Sequence, residues 1–338
     1  MNLHLVLQNS EVKKGESMPI SFIGTGSYVP DYVLTNDDLK QWVDTNNEWI
    51  VERTGIHERH IALGVNLTDM AVSASRRAIE DAGIDASEID LIIAATISSE
   101  SRLPSVACFV QGEIDAENAM AFDINAACTG FIYGVEIAEK MLSSGMYKTA
   151  LVIGSEKLSR LVNWSDRNTC VLFGDAAGAA ILRDTGHGGI LATTCKSIPD
   201  KNGYLTIKNP ASMFPFEEKI EVDLAMHMSG PHVFKFATNV MVECVEKVLA
   251  KANLTKDDIT YIVPHQANKR IIDHAVTKLQ IPEDKFFVNV NKYGNTSSAS
   301  VPLALDELRK QREVKPGDKV VLVAFGGGLT AGAVIVEF

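Results

Sequence analysis

The stretch Ser87-Glu88-Ile89-Asp90-Leu91-Ile92-Ile93 has a similar counterpart about 170 residues later, Asp257-Asp258-Ile259-Thr260-Tyr261-Ile262-Val263, and this repeat indicates the fold. In each copy a helical pattern precedes an acidic turn and then an apolar run of strand length. Such a continuous apolar run is typical of a strand covered on both faces of a parallel sheet. The period is too long for a solenoid, so we expect two similar α/β halves packed face to face.

Strands and helices alternate on both sides of this repeat. Helical spacing predicts a helix over residues 69–82 that ends at Gly83. Residues 286–291 are expected to match the strand and loop at 120–125. Other strands are predicted at residues 20–23 (ahead of a turn at Gly24-Thr25-Gly26), 150–153 and 320–324.

This order predicts a layered α/β sandwich of two duplicated halves. The first half is expected to span residues 18–185 and the second residues 186–338, after a loose N-terminal extension at residues 1–17. Ligand sites of α/β proteins lie at the carboxyl ends of strands, so the site is expected between the halves.

Composition excludes several classes of protein. The 338 residues carry 32 Lys and Arg against 43 Asp and Glu, and the net charge of −11 opposes broad attraction to nucleic acid or anionic lipid. No apolar run is long enough for a membrane span, and residues 3–7 are too short for a signal-peptide core, so we predict a cytoplasmic protein. The five cysteines lack metal-type spacing and are expected to be free thiols.

Cys128 is the strongest candidate for chemistry. It follows a predicted strand and precedes a helix that begins near Thr129-Gly130. A helix N-terminus stabilises a thiolate, which is the nucleophilic form of cysteine. The alternative is a small buried hydrophobic side chain, but the tight, polar neighbourhood Asn125-Ala126-Ala127 weakens it.

Two residues of the second half are expected to face the same seam. His265 follows the strand at residues 259–263, and its alternative role is to cap the next helix. Asn295 is expected at the duplicated counterpart of Cys128, and Asn is also a favoured N-cap. The run Phe325-Gly326-Gly327-Gly328 adds backbone N–H groups of the kind that form an oxyanion hole.

No metal or dinucleotide site is predicted. The pair in His57-Glu58-Arg59-His60 lacks the spacing of a zinc-protease helix, and Gly24-Thr25-Gly26 lacks the rest of a dinucleotide fingerprint.

Seven motifs between residue 18 and the end are specific in combination: Asn47-Glu48-Trp49-Ile50, Arg53-Thr54-Gly55-Ile56, Asn125-Ala126-Ala127-Cys128-Thr129-Gly130-Phe131, Phe173-Gly174-Asp175, His265-Gln266-Ala267-Asn268, Gly294-Asn295-Thr296-Ser297 and Phe325-Gly326-Gly327-Gly328. With these motifs the sequence resembles the β-ketoacyl-[acyl-carrier-protein] synthase III family of the thiolase-fold superfamily. The Cys, His, Asn order separates this family from elongating synthases, which have a second His where Asn295 stands, and from thiolases, which have a second Cys.

The resemblance implies a thiolase-like αβαβα sandwich, a homodimer and a ping-pong reaction without a cofactor. Cys128 would attack an acyl-CoA primer, and malonyl-acyl-carrier protein would then enter. His265 and Asn295 would donate hydrogen bonds as carbon dioxide leaves. The backbone N–H groups of Cys128 and Gly327 would hold the tetrahedral oxyanion, and Phe325 would shield the thiol.

The resemblance also implies binding residues for both substrates. The alternative for Trp49 and Arg53 is a surface aromatic beside a solvated charge. The residues implied for CoA are Thr45, Trp49, Arg53, Arg167 and Asn268, and those implied for the acidic carrier protein are Lys235, Lys269 and Arg270.

The sequence departs from the family pattern at Ser298 and Leu103. Ser298 stands where the family usually has Ala. Leu103 stands where an aromatic residue often closes the partner's acyl pocket, which predicts a longer pocket and use of medium-length primers. The competing expectation is that Phe109 or Trp164 refills the freed space.

Two other functions remain open at the level of sequence. One is a condensing enzyme of a specialised ketide, quinolone or other acyl-thioester pathway that keeps the Cys, His, Asn set. The other is a non-catalytic partner subunit of another synthase, although such subunits usually lose the nucleophile that Cys128 provides.

Overall fold

A computed structural model of the chain describes residues 19–210 and 223–338, so the predicted extension at residues 1–17 lies outside the described part. The strands are β1 (Ile20–Tyr28), β2 (Tyr32–Thr35), β3 (Glu58–Ile61), β4 (Leu91–Ala95), β5 (Met120–Ile124), β6 (Thr149–Glu156), β7 (Ala176–Asp184), β8 (Gly189–Ser197), β9 (Leu205–Thr206), β10 (His227–Met228), β11 (Tyr261–Pro264), β12 (Lys319–Gly326) and β13 (Thr330–Glu337). The helices are α1 (Asn47–Thr54), α2 (Leu67–Ala82), α3 (Val106–Glu113), α4 (Gly130–Ser143), α5 (Arg167–Cys170), α6 (Gly230–Ala252), α7 (Lys269–Leu279), α8 (Val290–Tyr293) and α9 (Ser300–Gln311).

Two large sheets repeat the same strand order. The first runs β1-β7-β6-β4-β5 and the second β8-β13-β12-β11. In the first, β4 and β6 are parallel while β7 is antiparallel to both of its neighbours. In the second, β11 and β12 are parallel and β13 is antiparallel to both neighbours. The predicted duplication is therefore visible in strand order and direction.

The layers follow from which faces are apolar. Helices α4 and α9 lie between the sheets and bury Phe131, Val135 and Leu305 against both. Burial of each such side chain stabilises the fold by about 1.5–3 kcal/mol. Helices α2 and α3 cover the outer face of the first sheet, and α6 and α7 cover that of the second. The result is the predicted αβαβα sandwich.

The expected strand at residues 286–291 is wrong. Only Phe286 pairs, in a single bridge to Ile262, and helix α8 follows. The Gln266 side-chain oxygen accepts the N–H groups of Asn289 at 3.0 Å and Val290 at 3.1 Å. These backbone donors bond to a side chain, so the segment cannot continue a sheet ladder.

The predicted turn at residues 24–26 is also wrong, because β1 continues through it. A Cβ at Gly24 would lie 2.4 Å from the Ala78 oxygen, and one at Gly26 would lie 2.3 Å from the Ala74 oxygen. These glycines therefore serve close packing of α2 on the strand. None of the helices in the described ranges is long and apolar enough to cross a membrane.

Candidate active site

Cys128 lies in a short 3-10 turn, Ala127–Thr129, that leads into α4 from the end of β5. Its side chain is buried at the seam between the halves, as expected. Gly326, at the end of β12, approaches it so closely that a Cβ there would lie 2.7 Å from the Cys128 nitrogen. The glycine run thus brings its backbone next to the thiol.

The expected stabilisation of a Cys128 thiolate is wrong for the unliganded site. The pKa of Cys128 is raised to about 12, mainly by burial and also by the charge of Glu156, while hydrogen bonds from the Ser297 hydroxyl and the backbone oppose the rise. Loss of solvation therefore outweighs the helix terminus, and Cys128 is a neutral thiol near pH 7.

His265 is held rigidly at the end of β11. Its backbone N–H donates to the Val323 oxygen at 2.8 Å, and its ring meets Phe325 edge to face with centroids 5.1 Å apart. Burial lowers the pKa of His265 to about 3, so the imidazole is neutral. Its Nδ1 lies 2.6 Å from the Ser300 hydroxyl, which has no other hydrogen-bond partner within the described ranges. A buried hydroxyl hydrogen needs an acceptor, and we therefore infer that Ser300 donates to Nδ1 and that the ring proton is on Nε2.

The amide of Asn295 has a defined orientation. Its Oδ1 accepts the Ser297 N–H at 2.9 Å, which leaves Nδ2 as a donor. The backbone of Asn295 is anchored by its N–H to the Leu172 oxygen at 2.8 Å. Together with Nε2 of His265, the site can present two neutral hydrogen-bond donors.

The predicted equivalence of Asn295 and Cys128 is wrong by three residues. The 3-10 turns before α4 and α9 each begin at a non-glycine residue with positive φ, Ala127 at +46° and Ser297 at +49°. Asn125 accepts the Ala127 N–H just as Asn295 accepts that of Ser297. Asn125 is therefore the counterpart of Asn295, and Ser298 is the counterpart of Cys128.

Two cavities meet at Cys128. The cavity of about 780 Å³ that His265 and Asn295 line is called the outer cavity, and the cavity of about 430 Å³ that Ser297 and Gly327 line is called the inner cavity. Leu205 and Phe173 lie between them and line both. Predicted site residues on the outer cavity are Trp49, Arg53, Cys128, Arg167, His265, Asn268, Arg270, Asn295 and Phe325, and Gly327 lines the inner one.

Trp49 lies between two guanidinium groups. The Cζ atoms of Arg53 and Arg167 are each 4.6 Å from the centre of its ring. Arg167 also donates to the backbone carbonyl oxygen of Asp44 at 2.8 Å. In this unliganded arrangement no gap remains between Arg167 and Trp49 for the predicted base, so Arg167 must move if a base stacks there.

The other residues predicted for CoA have different positions. Asn268 donates from Nδ2 to the Arg53 oxygen at 3.0 Å and accepts the Arg270 N–H at 2.9 Å. It therefore joins α1 to the start of α7 and positions Arg53. Thr45 is not on the wall of either cavity.

Acidic neighbours already pair with one residue of the predicted basic patch for the carrier protein. Lys269 pairs with Asp273 and, at 2.9 Å, with Glu283. Arg270 and Lys235 are exposed and form no salt bridge with any described residue. Arg270 lies at the rim of the outer cavity over the Phe234 ring. The patch thus consists mainly of Arg270 and Lys235.

Leu103 lies apart from the site of its own chain. It is 87% exposed and lines neither cavity. Trp164 packs against Trp42, and neither Trp164 nor Phe109 lines a cavity of its own chain, so refilling of a pocket shared with a partner stays a prediction.

Sequence reasoning missed Glu156. This carboxyl is 0% exposed at the end of β6 and accepts hydrogen bonds from Ser297 at 3.1 Å and Ser298 at 2.9 Å. A charged residue that ends the apolar run of residues 149–156 was an available signal, because strand ends face the seam.

The layered fold and a buried Cys, His, Asn set at its seam define a thiolase-like condensing enzyme. A family model described as 3-oxoacyl-[acyl-carrier-protein] synthase III matches residues 122–199, and one described as its C-terminal part matches residues 249–338. The chain is 49% identical to β-ketoacyl-[acyl-carrier-protein] synthase III of Clostridium acetobutylicum over 94% of this chain and 98% of that protein. The chain belongs to the β-ketoacyl-[acyl-carrier-protein] synthase III family.

Solved structures agree with this assignment. The 3-oxoacyl-[acyl-carrier-protein] synthase III of Aquifex aeolicus VF5 superposes with a TM-score of 0.89 at 45% identity, over 94% of this chain and 100% of that one. A priming β-ketosynthase from the R1128 polyketide biosynthetic pathway has the same TM-score at 35% identity, over 97% and 98%. The higher identity is to synthase III proteins, so the specialised-pathway alternative is not favoured, and the chain is an acyltransferase-type enzyme rather than a non-catalytic subunit.

Proposed function

We propose that this chain joins an acyl-CoA primer to malonyl-acyl-carrier protein by decarboxylative condensation, the first step of fatty-acid synthesis, through an acyl group on Cys128. The observation that supports this most is the meeting of Cys128, His265 and Asn295 on one cavity wall. The three side chains come from both halves of the sandwich. A thiol next to two neutral donors suits two successive reactions of thioesters.

In the first half-reaction the Cys128 sulfur attacks the primer carbonyl. The oxyanion that forms lies between the backbone N–H groups of Cys128 and Gly327 in this proposal. The acyl chain then occupies the inner cavity, whose apolar wall includes Ile97, Leu158 and Met226. CoA leaves through the outer cavity past Phe325, which we propose as the gate.

In the second half-reaction the malonyl thioester replaces CoA. Its carbonyl oxygen accepts hydrogen bonds from Nε2 of His265 and Nδ2 of Asn295. As carbon dioxide leaves, negative charge develops on that oxygen, and the two donors stabilise the enolate. The enolate carbon then attacks the acyl group on Cys128.

The outer cavity is the proposed route for both pantetheine arms. Arg53, Arg167 and Trp49 bind the nucleotide end of CoA, with Asn268 positioning Arg53, while the role of Thr45 stays a prediction. Arg270 and Lys235 attract the acidic carrier protein at the rim, with a smaller contribution from Lys269. No cofactor takes part, because the two thioesters supply the reacting carbons.

We propose that two copies associate along β5. This strand is at the edge of the first sheet, and Met120 at its start is 48% exposed. Exposed Leu103 and half-exposed Phe109 lie on the adjoining loop and α3. Unpaired edges with apolar neighbours are usually covered. The division of the chain into halves at residues 185 and 186 stays a prediction. We also propose a cytoplasmic location, which the five free cysteines support.

The two half-reactions test the proposal separately. Acyl transfer is measured with acetyl-CoA alone as acyl-enzyme formed, and decarboxylation is measured as carbon dioxide released from malonyl-acyl-carrier protein alone. His265→Ala and Asn295→Ala should lose decarboxylation by about 100-fold or more, on the order expected for an oxyanion donor, and retain acyl transfer from acetyl-CoA. Decarboxylation at the wild-type rate in either variant would contradict its assigned role.

A further inference from the structure

Glu156 is a buried acid that takes no part in the condensation chemistry proposed for Cys128, His265 and Asn295. It lies at the end of β6, behind the turn that carries Ser297 and Ser298. Its carboxyl accepts hydrogen bonds from Ser297, Ser298, Ser98, Thr96 and the Ile97 N–H. Every one of these groups can donate, which suits an ionised carboxylate.

Its surroundings keep the carboxyl apart from cations and water. Lys157 follows it in the chain, but the Lys157 ammonium points to the Val65 oxygen and to Glu100. Ser98 accepts the Lys157 N–H at 2.8 Å, so the hydroxyl hydrogen of Ser98 is directed to Glu156. Burial raises the pKa of Glu156, and the hydroxyl donors oppose that rise. The carboxylate thus has a higher proton affinity than an exposed one.

Ser297 connects this carboxyl to the nucleophile. Its hydroxyl donates to Oε1 of Glu156 at 3.1 Å, and it lies near enough to the Cys128 thiol to lower the pKa of that thiol. Both Ser297 and Cys128 line the inner cavity. His265 is not an alternative acceptor in the tautomer that we infer from its contact with Ser300, because Nε2 then carries the ring proton.

We propose that Glu156 accepts the Cys128 proton through Ser297 during acylation and holds it until condensation. This inference rests on the proposed role of Cys128. As the sulfur forms its bond to the acyl carbon, the thiol proton passes to the Ser297 oxygen, and the Ser297 hydroxyl proton passes to Oε1. The bond from the acyl carbon to the CoA sulfur breaks, and the CoA thiolate takes a proton from solvent.

The second half-reaction reverses the transfer. The enolate carbon forms a bond to the acyl carbon, and the Cys128 sulfur leaves with the bonding electron pair. The proton on Glu156 then returns through Ser297 to the sulfur. Ser297 touches the reacting atom, whereas Glu156 is a positioning residue that acts through it.

The distinguishing measurement is proton uptake. Acetyl-CoA is mixed with the full-length enzyme in weak buffer near pH 7.5 with a pH indicator, and acyl-enzyme is counted by intact mass. Wild type should take up about one proton per acyl-Cys128, because the thiol proton stays inside while CoA is protonated from solvent. Acyl-enzyme formation without proton uptake would overturn the inference, whereas no acylation of wild type would contradict the proposed function instead.

Three variants complete the test. Glu156→Gln should acylate without proton uptake. Ser297→Ala should acylate on the order of 100-fold more slowly, since general acid–base catalysis typically contributes that much. Ala127 already has the same positive φ, so alanine fits this backbone. Ser298→Ala removes a hydrogen bond of Glu156 without breaking the path, so its acyl-enzyme should still take up one proton. Wild-type acylation rates in Ser297→Ala, or proton uptake by Glu156→Gln, would refute the relay.

Discussion

The Ser300 hydroxyl lies 2.6 Å from Nδ1 of His265, and this contact determines which ring nitrogen carries the proton. Both groups are buried, and the pKa of His265 is lowered by burial rather than by a neighbouring charge. The donor role of His265 therefore depends on a neutral tautomer that Ser300 selects at the first residue of α9.

Replacement of Ser300 by Ala should weaken decarboxylation. A lost hydrogen bond to a buried group costs about 1–3 kcal/mol, so we expect a decrease of roughly tenfold in carbon dioxide release from malonyl-acyl-carrier protein. Acyl transfer from acetyl-CoA should change less. Ser75→Ala, which removes another buried helical serine hydroxyl away from the site, is the matched control. Equal rates in Ser300→Ala and the control would exclude this role.

The reactivity of Cys128 should depend on pH in a way that reflects its burial. Because the pKa of Cys128 is raised to about 12, the thiolate fraction should keep increasing from pH 7 to pH 10. Carbamidomethylation of Cys128, followed by peptide mass spectrometry, should show no plateau in this range, whereas a cysteine in an unstructured model peptide, with a pKa of about 8.5, levels off above roughly pH 9.5. A plateau for Cys128 at or below pH 8 would show that the helix terminus dominates.

The raised pKa of Cys128 also makes the free energy of unfolding depend on pH. The folded-state pKa of Cys128 lies above its ordinary value of 9.0, so the folded state binds this proton more tightly. The contribution to the free energy of unfolding is complete below pH 9 and is lost as the pH rises toward 12.

Carrier-protein use should depend more on Arg270 than on Lys269. The acidic partners Asp273 and Glu283 already occupy Lys269, whereas Arg270 is exposed at the cavity rim. We expect Arg270→Gln to raise the KM for malonyl-acyl-carrier protein several-fold more than Lys269→Gln does. Both effects should shrink at high salt because exposed charges are screened. Equal defects in self-acylation by acyl-CoA would indicate a distorted site instead.

Primer length should depend on Leu103 only if β5 forms the proposed dimer. Each additional buried methylene contributes up to about 0.8 kcal/mol, so octanoyl-CoA should be used at least as well as acetyl-CoA. Leu103→Phe should lower kcat/KM for octanoyl-CoA and spare acetyl-CoA. A strong wild-type preference for acetyl-CoA that the substitution leaves unchanged would discard the idea.

The fold was largely predictable because the same apolar pattern occurs twice. Helix α2 ends at Gly83 as expected, and β4 and β11 lie at the two copies of the repeat. The segment after Phe286 was not predictable from periodicity, since its backbone donors bond to the Gln266 side chain. Long-range side-chain contacts of this kind leave no periodic signal.

The residues of the site could be predicted from the sequence, but their register, ion pairing and pKa values could not. Sequence placed Cys128, His265 and Asn295 together, but the match of Asn295 to Cys128 is wrong because a loop has no periodic pattern, and only the 3-10 turns ahead of the two helices fix its register. The pairing of Lys269 with Glu283 spans 14 residues and follows only from tertiary packing. The raised pKa of Cys128 likewise depends on how completely the seam excludes water.

The role of Cys128 as the acyl carrier is tested most directly by locating the acyl group. The enzyme is incubated with acetyl-CoA, quenched in acid, digested and analysed by mass spectrometry, before and after addition of malonyl-acyl-carrier protein. We expect an acetyl group on the Cys128 peptide that disappears as acetoacetyl-carrier protein forms, and no adduct in Cys128→Ala. An acetyl adduct that persists in Cys128→Ala, or one on Cys128 that malonyl-acyl-carrier protein does not discharge, would contradict this role.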